Sequence, residues 1–232
     1  MDKIFKAVCD RYQIQVCNTH EKIKIAQNIR HQVYCEEMQF EEQNEVGLEE
    51  NSYDNESIHL IIFDGHMAIG TVRIVISKIL PLSKYIAGDH AFNTKKLTPG
   101  SYCEISRLSV LNRARKGEAG LAAAGLFFAA GYVVVRQKIN TAYALMEESL
   151  ARNMQKTGIN SLKVSGPHEL NGSRFIFMLD PVSFISSFAS HTSFEESQLA
   201  KYFKKLGDEG FLAQEHVSSG RTPTTEALKQ YW

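Results

Sequence analysis

The segment Cys103-Glu104-Ile105-Ser106-Arg107-Leu108-Ser109-Val110 sets a carboxylate, two hydroxyls and a guanidinium into an otherwise apolar run. On a strand, alternation puts Glu104, Ser106, Leu108 and Val110 on one face and Cys103, Ile105, Arg107 and Ser109 on the other. Burying a lone carboxylate is costly, so Glu104 is either half of an ion pair or a group kept for proton transfer. Two clusters lie upstream. Arg30-His31-Gln32-Val33-Tyr34-Cys35-Glu36 is followed by Phe40, and Gly47-Leu48-Glu49-Glu50-Asn51-Ser52-Tyr53-Asp54 is followed by His59. Arg30 and Arg107 have the fork geometry that suits a ligand carboxylate, and equally the geometry to orient Glu104 and the acidic residues. Downstream, Arg113-Ala114-Arg115-Lys116-Gly117-Glu118-Ala119-Gly120 precedes a long apolar run. Backbone N–H groups at such a helix start suit a phosphate or phosphopantetheine; an ordinary glycine turn with solvated basic residues is the alternative.

The elements that must position these residues follow from periodicity. Tyr12 to Val16 alternates as a short strand, and Asn18 with Glu21 forms a capping-box-like start for a helix whose apolar stripe is Ile25, Ile29 and Val33. Glu36 to Ser57 is acidic and aperiodic, a long loop of the kind that is commonly functional. Ile58 to Phe63 and Met67 to Ile76 form a hairpin around Asp64-Gly65. Leu80 to Gly100 reads as an irregular connection with one helical turn, and Tyr102 to Val110 as the third strand of this group. A buried helix covers roughly Leu121 to Gln137. Thr141 to Met146 is a strand, Glu147 to Lys156 an amphipathic helix, and Ser161 to Val164 and Arg174 to Leu179 are closing strands. This order predicts an α/β fold with one mixed sheet and helices on both faces over residues 1–180, followed by a helical C-terminal extension over 181–232.

The chain has 232 residues, 44% apolar and 22% charged, within the range of folded globular domains. Lys plus Arg and Asp plus Glu balance at 26 each, so no overall field selects nucleic acid. Charges interrupt the N-terminal 17 residues, so no signal peptide is indicated, and no apolar run reaches membrane-spanning length. A cytoplasmic protein is expected. Its cysteines, Cys9, Cys17, Cys35 and Cys103, show no zinc spacing and are expected as free thiols, with no metal site.

The ordered set Arg30-x-x-x-Tyr34, Gly47-x-Glu49-x-x-x-Tyr53-Asp54, Gly70-x-x-Arg73 and Glu104-x-Ser106-Arg107-x-x-Val110 resembles the acyl-homoserine-lactone synthase pattern. Val33-Tyr34-Cys35-x-Glu37, Ser57-x-His59 and Glu104-Ile105-Ser106-Arg107-Leu108 resemble still more closely the N-acyl amino acid synthases and the PEP-CTERM/exosortase-associated acyltransferases, over residues 20–180. The resemblance implies a GNAT-like (acyl-CoA N-acyltransferase) fold. It also implies an enzyme that moves a fatty acyl group from acyl carrier protein, or from acyl-CoA, onto a small amine such as an amino acid. Neither donor is a permanently bound cofactor. Asn51 stands where the lactone synthases usually show Asp, and Phe40 where they show Trp, which turns the reading away from S-adenosylmethionine. A lactone synthase using S-adenosylmethionine and a non-catalytic acyl-thioester-binding module are the alternatives.

By this resemblance Glu104, Arg30, Arg107 and Ser106 are the catalytic candidates, Glu104 serving as base directly or through a water. Tyr34, Phe40, Asn51, Asp54, Arg73, Leu108 and Ser109 are the substrate-binding candidates, with an oxyanion donor expected from a backbone N–H near Leu108 or Ser109. Arg113, Arg115, Lys116, Gly117 and Gly120 occupy the place of the GNAT pyrophosphate loop. Their basic rim fits an acidic carrier protein as well as CoA. Leu121, Leu126, Phe127, Phe128, Tyr132 and Val133 either line an acyl tunnel or pack the core.

Overall fold

The computed structural model describes residues 7, 8, 10–86, 101–115, 120–156 and 158–184, and the backbone of 213, 214, 221 and 222. Seven strands make one sheet: β1 Tyr12–Val16, β2 Ser57–Asp64, β3 Met67–Val75, β4 Tyr102–Val110, β5 Thr141–Met146, β6 Ser161–Glu169 and β7 Ser173–Leu179. Their spatial order is β1-β2-β3-β4-β5-β7-β6. Every neighbouring pair is antiparallel except β4 with β5, which run parallel. That pairing is short: Tyr102 to Glu104 align with Thr141 to Tyr143, and beyond Glu104 the two strands part.

Helices cover both faces, as expected. Helix α2, Leu121–Arg136, is apolar nearly all round, and with α3, Glu148–Lys156, it seals one face of the sheet. Leu121, Leu126, Phe127, Phe128 and Val133 are buried in this core, with Tyr132 packed against it. These side chains pack the core; the tunnel alternative does not apply to them. Helix α1, His20–Arg30, lies on the opposite face through Ala26 and Ile29, joined there by Val33 just beyond its end. Toward β5 and β7 that second face carries the strap Leu80–Ile86, with a 3₁₀ turn over Pro81–Tyr85, whose Leu80, Leu82 and Ile86 pack on Val75, Tyr102, Tyr143 and Ile176. No helix among the described residues is long and apolar enough to cross a membrane.

Three local expectations are corrected. Helix α1 is capped by Thr19, whose hydroxyl accepts from Lys22 N at 3.3 Å; Asn18 lies one residue too early. Ile25 is exposed, because the helix is rotated to turn Gln27 and Arg30 toward the sheet. The chain then continues as a π-helix, His31–Glu37, where helical reading fades into loop. Its wider i→i+5 spacing brings His31 Nδ1 to 3.1 Å from Glu36 Oε1 and closes with Met38 N donating to Val33 O at 2.9 Å. Such a turn has no hydrophobic period to announce it.

A fourth correction concerns β4. Arg73 pairs with Ser106 and Thr71 with Ser109, so two residues, Arg107 and Leu108, stand opposite the single Val72. This is a β-bulge, and Arg107 takes φ +54 within it. Simple alternation fails beyond Ser106: Ser109 joins Glu104 and Ser106 on the face of Arg73, while Val110 turns to the core beside Cys103 and Ile105. The bulge sits where Gly70 is irreplaceable, since a Cβ there would lie 2.8 Å from Ser109 O.

Past β7 the chain stays attached to the core. Phe184 is fully buried, stacks on Phe127 with ring centroids 5.5 Å apart, and lies across Gly131 of α2. In the stretch read as a helical extension, Ala213–Gln214 pairs antiparallel with Arg221–Thr222; most of 181–232 lies outside the described residues. Phe184→Ala should cost about 3–5 kcal/mol of stability. Gly131→Ala should also destabilise strongly, because its added carbon would lie 2.2 Å from that ring. Urea unfolding of the two variants tests this; midpoints equal to the parent's would show that Phe184 is not seated.

Candidate functional site

The sequence clusters meet on the helix α1 face of the sheet. His59, Arg73 and Ser106 are cross-strand partners in one row over β2, β3 and β4, and Val75, Glu104 and Tyr143 form the next row over β3, β4 and β5. Helix α1 sets Gln27 and Arg30 above the first row. The loop after the π-helix brings in Glu49, Asn51 and Asp54.

Asp54 is the hub. Arg30 donates Nη1 to its Oδ1 at 3.1 Å and Nη2 to its Oδ2 at 2.6 Å. Arg73 Nη1 reaches Oδ1 at 2.9 Å, Gln27 Nε2 reaches Oδ2 at 3.1 Å, and Asn51 N reaches Oδ2 at 3.2 Å. Arg30 and Arg73 are almost wholly buried, and this carboxylate is the counter-charge they share. Burial alone would raise the Asp54 pKa, but the Arg30 fork, helped by Gln27, holds it well below the usual carboxylate range. His59, also fully buried, is pushed down to about 4 by burial and by Arg30, and so is neutral near pH 7. Its Nε2 lies 3.2 Å from Asp54 O and therefore carries the proton.

A second carboxylate extends the network outward. Glu49 Oε2 lies 2.5 Å from Arg30 Nε, and Glu49 Oε1 accepts Arg107 Nη2 at 2.9 Å. Arg107 Nη2 also reaches the half-exposed Glu41 at 2.9 Å, and its guanidinium stacks 5.2 Å from the Tyr34 ring centre. Tyr34 Oη donates to Leu108 O at 3.2 Å, tying the π-helix to the bulge. Phe40 N donates to Tyr34 O at 2.7 Å, and Asn51 Oδ1 accepts Tyr53 N at 3.0 Å, which makes Asn51 part of the turn leading to Asp54.

Arg30 and Arg107 therefore orient the acidic loop and do not touch Glu104. Glu104 is buried, and its carboxylate has no ion-pair partner among the described residues. Its Oε2 accepts Leu82 N of the strap at 2.7 Å. Burial pushes its pKa up from the ordinary 4.5 to about 7, against the pull of the Leu82 N–H and of Arg73 and Arg107.

Beside the bulge a cavity of about 290 Å³ is lined by Val33, Met38, Leu108, Ser109, Val110, Ala114, Arg115 and Gly120. Gly120, with φ +96, starts helix α2. Arg115 is ion-paired with Glu37, which also accepts Asn112 N at 3.1 Å, and Arg113 is exposed. Lys116 and Gly117 lie outside the described residues. Cys17, Cys35 and Cys103 are buried and free, with thiol pKa values pushed up by burial. Among the described residues no cluster of His, Cys, Asp and Glu could hold a metal.

Comparison with known proteins agrees with this geometry. Residues 29–124, which run from Arg30 past Glu104 and Arg107, match the family model described as Acetyltransferase (GNAT) domain. No curated protein sequence matches the chain. Among solved structures, the acyl-homoserine-lactone synthase LasI superposes with a TM-score of 0.64 at 14% identity, covering 80% of this chain and 97% of its own. BjaI, a CoA-dependent acyl-homoserine lactone synthase solved with SAM and isopentyl-CoA, gives 0.62 at 17% identity, covering 95% and 98%. FeeM, an N-acyl amino acid synthase from uncultured soil microbes, gives 0.58 at 14%, covering 79% and 99%. The chain therefore has a GNAT-like fold, with residues 29–124 matching the acetyltransferase domain model. Its fold is shared with synthases of both kinds.

Glu49 and Glu41 stood outside the candidate set although they hold Arg107, and so did His59 and Gln27. The Gly47-x-Glu49 and Ser57-x-His59 spacings carried the only signal. Replacing Asp54 with Asn leaves Arg73 without its charge partner and Arg30 with Glu49 alone, and should cost about 3–5 kcal/mol. Because the folded pKa of Asp54 lies below its ordinary 3.8, its stabilisation is present above that pH and is lost as pH falls through the folded value. Urea midpoints measured at neutral and at acidic pH should therefore show a gap between parent and Asp54→Asn that narrows on acidification. A gap independent of pH would argue against the charge account.

Proposed function

We propose that the protein is an N-acyltransferase that moves a fatty acyl group from a phosphopantetheine thioester onto a small amine, with Glu104 as base. The observation that carries this reading is a buried carboxylate with pKa near 7, placed where β4 and β5 part. There a thioester can enter between the strands and meet an amine on the Arg107 side. The amine lone pair attacks the thioester carbon while Glu104 takes the amine proton. The carbonyl electrons move onto oxygen, then return as the C–S bond breaks, and the thiolate recovers the proton. Amide and thiol are the products. A base with pKa near the working pH suits both proton transfers.

The cavity beside Gly120 is the seat for the pantetheine arm. Exposed Arg113, with Lys116, is the contact offered to a carrier protein, Arg115 being held by Glu37. The apolar surface under the strap, with Leu145, Val164, Ile176 and Met178, takes the acyl chain in place of α2. Arg107 keeps Glu49 as its fixed partner, while the half-exposed Glu41 can yield to a substrate carboxylate without net change in charge. This favours an amino acid as acceptor, in the manner of the synthase FeeM. Mass spectrometry of lipids from cells expressing the protein identifies amine and chain length together; N-acyl amino acids are the expected product.

Glu104→Gln keeps an acceptor for Leu82 N but removes the proton affinity. Turnover should drop by about 10² to 10⁴, the deficit shrinking as rising pH neutralises the amine. The parent's rate should rise through pH 7, and that inflection should vanish in the variant. Stability should move the other way. A carboxyl whose folded pKa is raised loses stability as pH climbs from 4.5 past 7, so Glu104→Gln should be the more stable protein at pH 8, by on the order of 3 kcal/mol, and equal to the parent below pH 4.5. A variant less stable than its parent at pH 8 would mark Glu104 as half of an ion pair instead.

A further inference from the structure

The Ser106 hydroxyl has its back fixed and its front open. Arg73 Nε and Nη2 both approach Ser106 Oγ at 3.3 Å, so the oxygen accepts from a guanidinium fork. The third arm of that fork is anchored on Asp54 at 2.9 Å, and Arg73 itself is only 2% exposed. A hydroxyl has one hydrogen to donate, and with its lone pairs turned toward Arg73 that hydrogen points away from the cation. Among the described residues it donates to nothing. Unlike its neighbours Glu104 and Arg73, Ser106 is part-exposed, so its hydroxyl is within reach of a ligand.

Register fixes what lies beside it. Ser106 and Glu104 are two residues apart on the same face of β4, about 6.7 Å between Cα atoms at ordinary strand rise. That separation spans a tetrahedral carbon whose nitrogen faces the carboxylate and whose oxygen faces the hydroxyl. Resting on the acyl-transfer reading above, we infer that Ser106 donates its hydroxyl hydrogen to the thioester carbonyl oxygen and to the oxyanion formed when the amine attacks. Ser106 forms no covalent bond. Its proton stays on Oγ throughout, while the amine proton passes to Glu104 and on to the departing thiolate. Arg73 is a positioning residue: it holds the hydroxyl by its oxygen and, as a buried cation behind it, makes it a stronger donor. A preorganised donor of this kind differs from a strand N–H in that a substitution can remove it.

The experiment follows thiol release from an acyl-CoA or acyl-carrier thioester, with and without amine, in the parent, Ser106→Ala, Ser106→Thr and Glu104→Gln. Ser106→Ala should lower kcat by about 10² to 10³ with KM for the thioester little changed. The deficit should be the same at every pH and should be present in amine-free hydrolysis too. Ser106→Thr, which keeps the hydroxyl, should recover most of the rate. Glu104→Gln should differ by losing its pH inflection. Should Ser106→Ala leave Arg73 too poorly satisfied to fold, Ser106→Cys decides, since a thiol is a weak donor of similar size and should be comparably slow. A rate for the folded Ala or Cys variant within about threefold of the parent overturns the inference while leaving the acyl-transfer reading intact. A parent that releases no thiol from any donor overturns that reading, and the inference with it.

Discussion

Two guanidinium groups with almost no contact with water, Arg30 and Arg73, share one buried carboxylate, Asp54, and Arg30 takes a second partner in Glu49. The Asp54 side chain touches Arg30 from α1 and Arg73 from β3, so the acidic loop, a helix and the central strands share a single charge balance. A buried pair of this kind adds little net stability compared with an apolar substitute. What it supplies is specificity. The loop has no periodic apolar pattern of its own and is held in one place by the arginines; helix α1 is turned to present Arg30 at the expense of exposing Ile25. The polar row His59, Arg73, Ser106 is thereby fixed relative to the apolar half of the same face.

The other organising feature is the departure of β4 from regularity. The bulge at Arg107 and Leu108 re-aims three side chains: Ser109 turns inward beside Ser106, Val110 goes to the core, and Arg107 reaches across to Glu49 and Glu41. One strand residue later than Glu104, pairing with β5 has already ceased. The same nine-residue strand thus carries a carboxylate at the mouth of a gap, a hydroxyl held from behind and an arginine joined to the loop.

Much of this was legible in the sequence where one local rule decides. The strands Tyr12–Val16 and Tyr102–Val110, the Asp64-Gly65 hairpin and the apolar helix from Leu121 follow from alternation, turn chemistry and burial. Glu104 stood out because an unpaired carboxylate in an apolar strand is expensive. The rest depends on contacts between distant segments. Nothing near residue 30 says that its arginine will meet residue 54, and nothing in Ser-Arg-Leu-Ser says which residue will bulge. The π-turn is invisible for a related reason: it changes the helical period for only seven residues, too few to leave a pattern. Phe184 carries no sign of its seat in the core, because its partner, the bare backbone at Gly131, leaves no mark in composition.

The strap over Leu80–Ile86 binds two properties that are separable in principle. Its leucines roof the apolar surface beside β5 and β7, and its Leu82 N–H is bonded to Glu104. A change that raises or lowers this roof also alters the hydrogen bond that restrains the carboxyl's proton affinity. On the proposed acyl-transfer reading, chain-length preference and the acidity at which the protein works are therefore linked traits. A lineage that retunes one must find a compensating change elsewhere to keep the other.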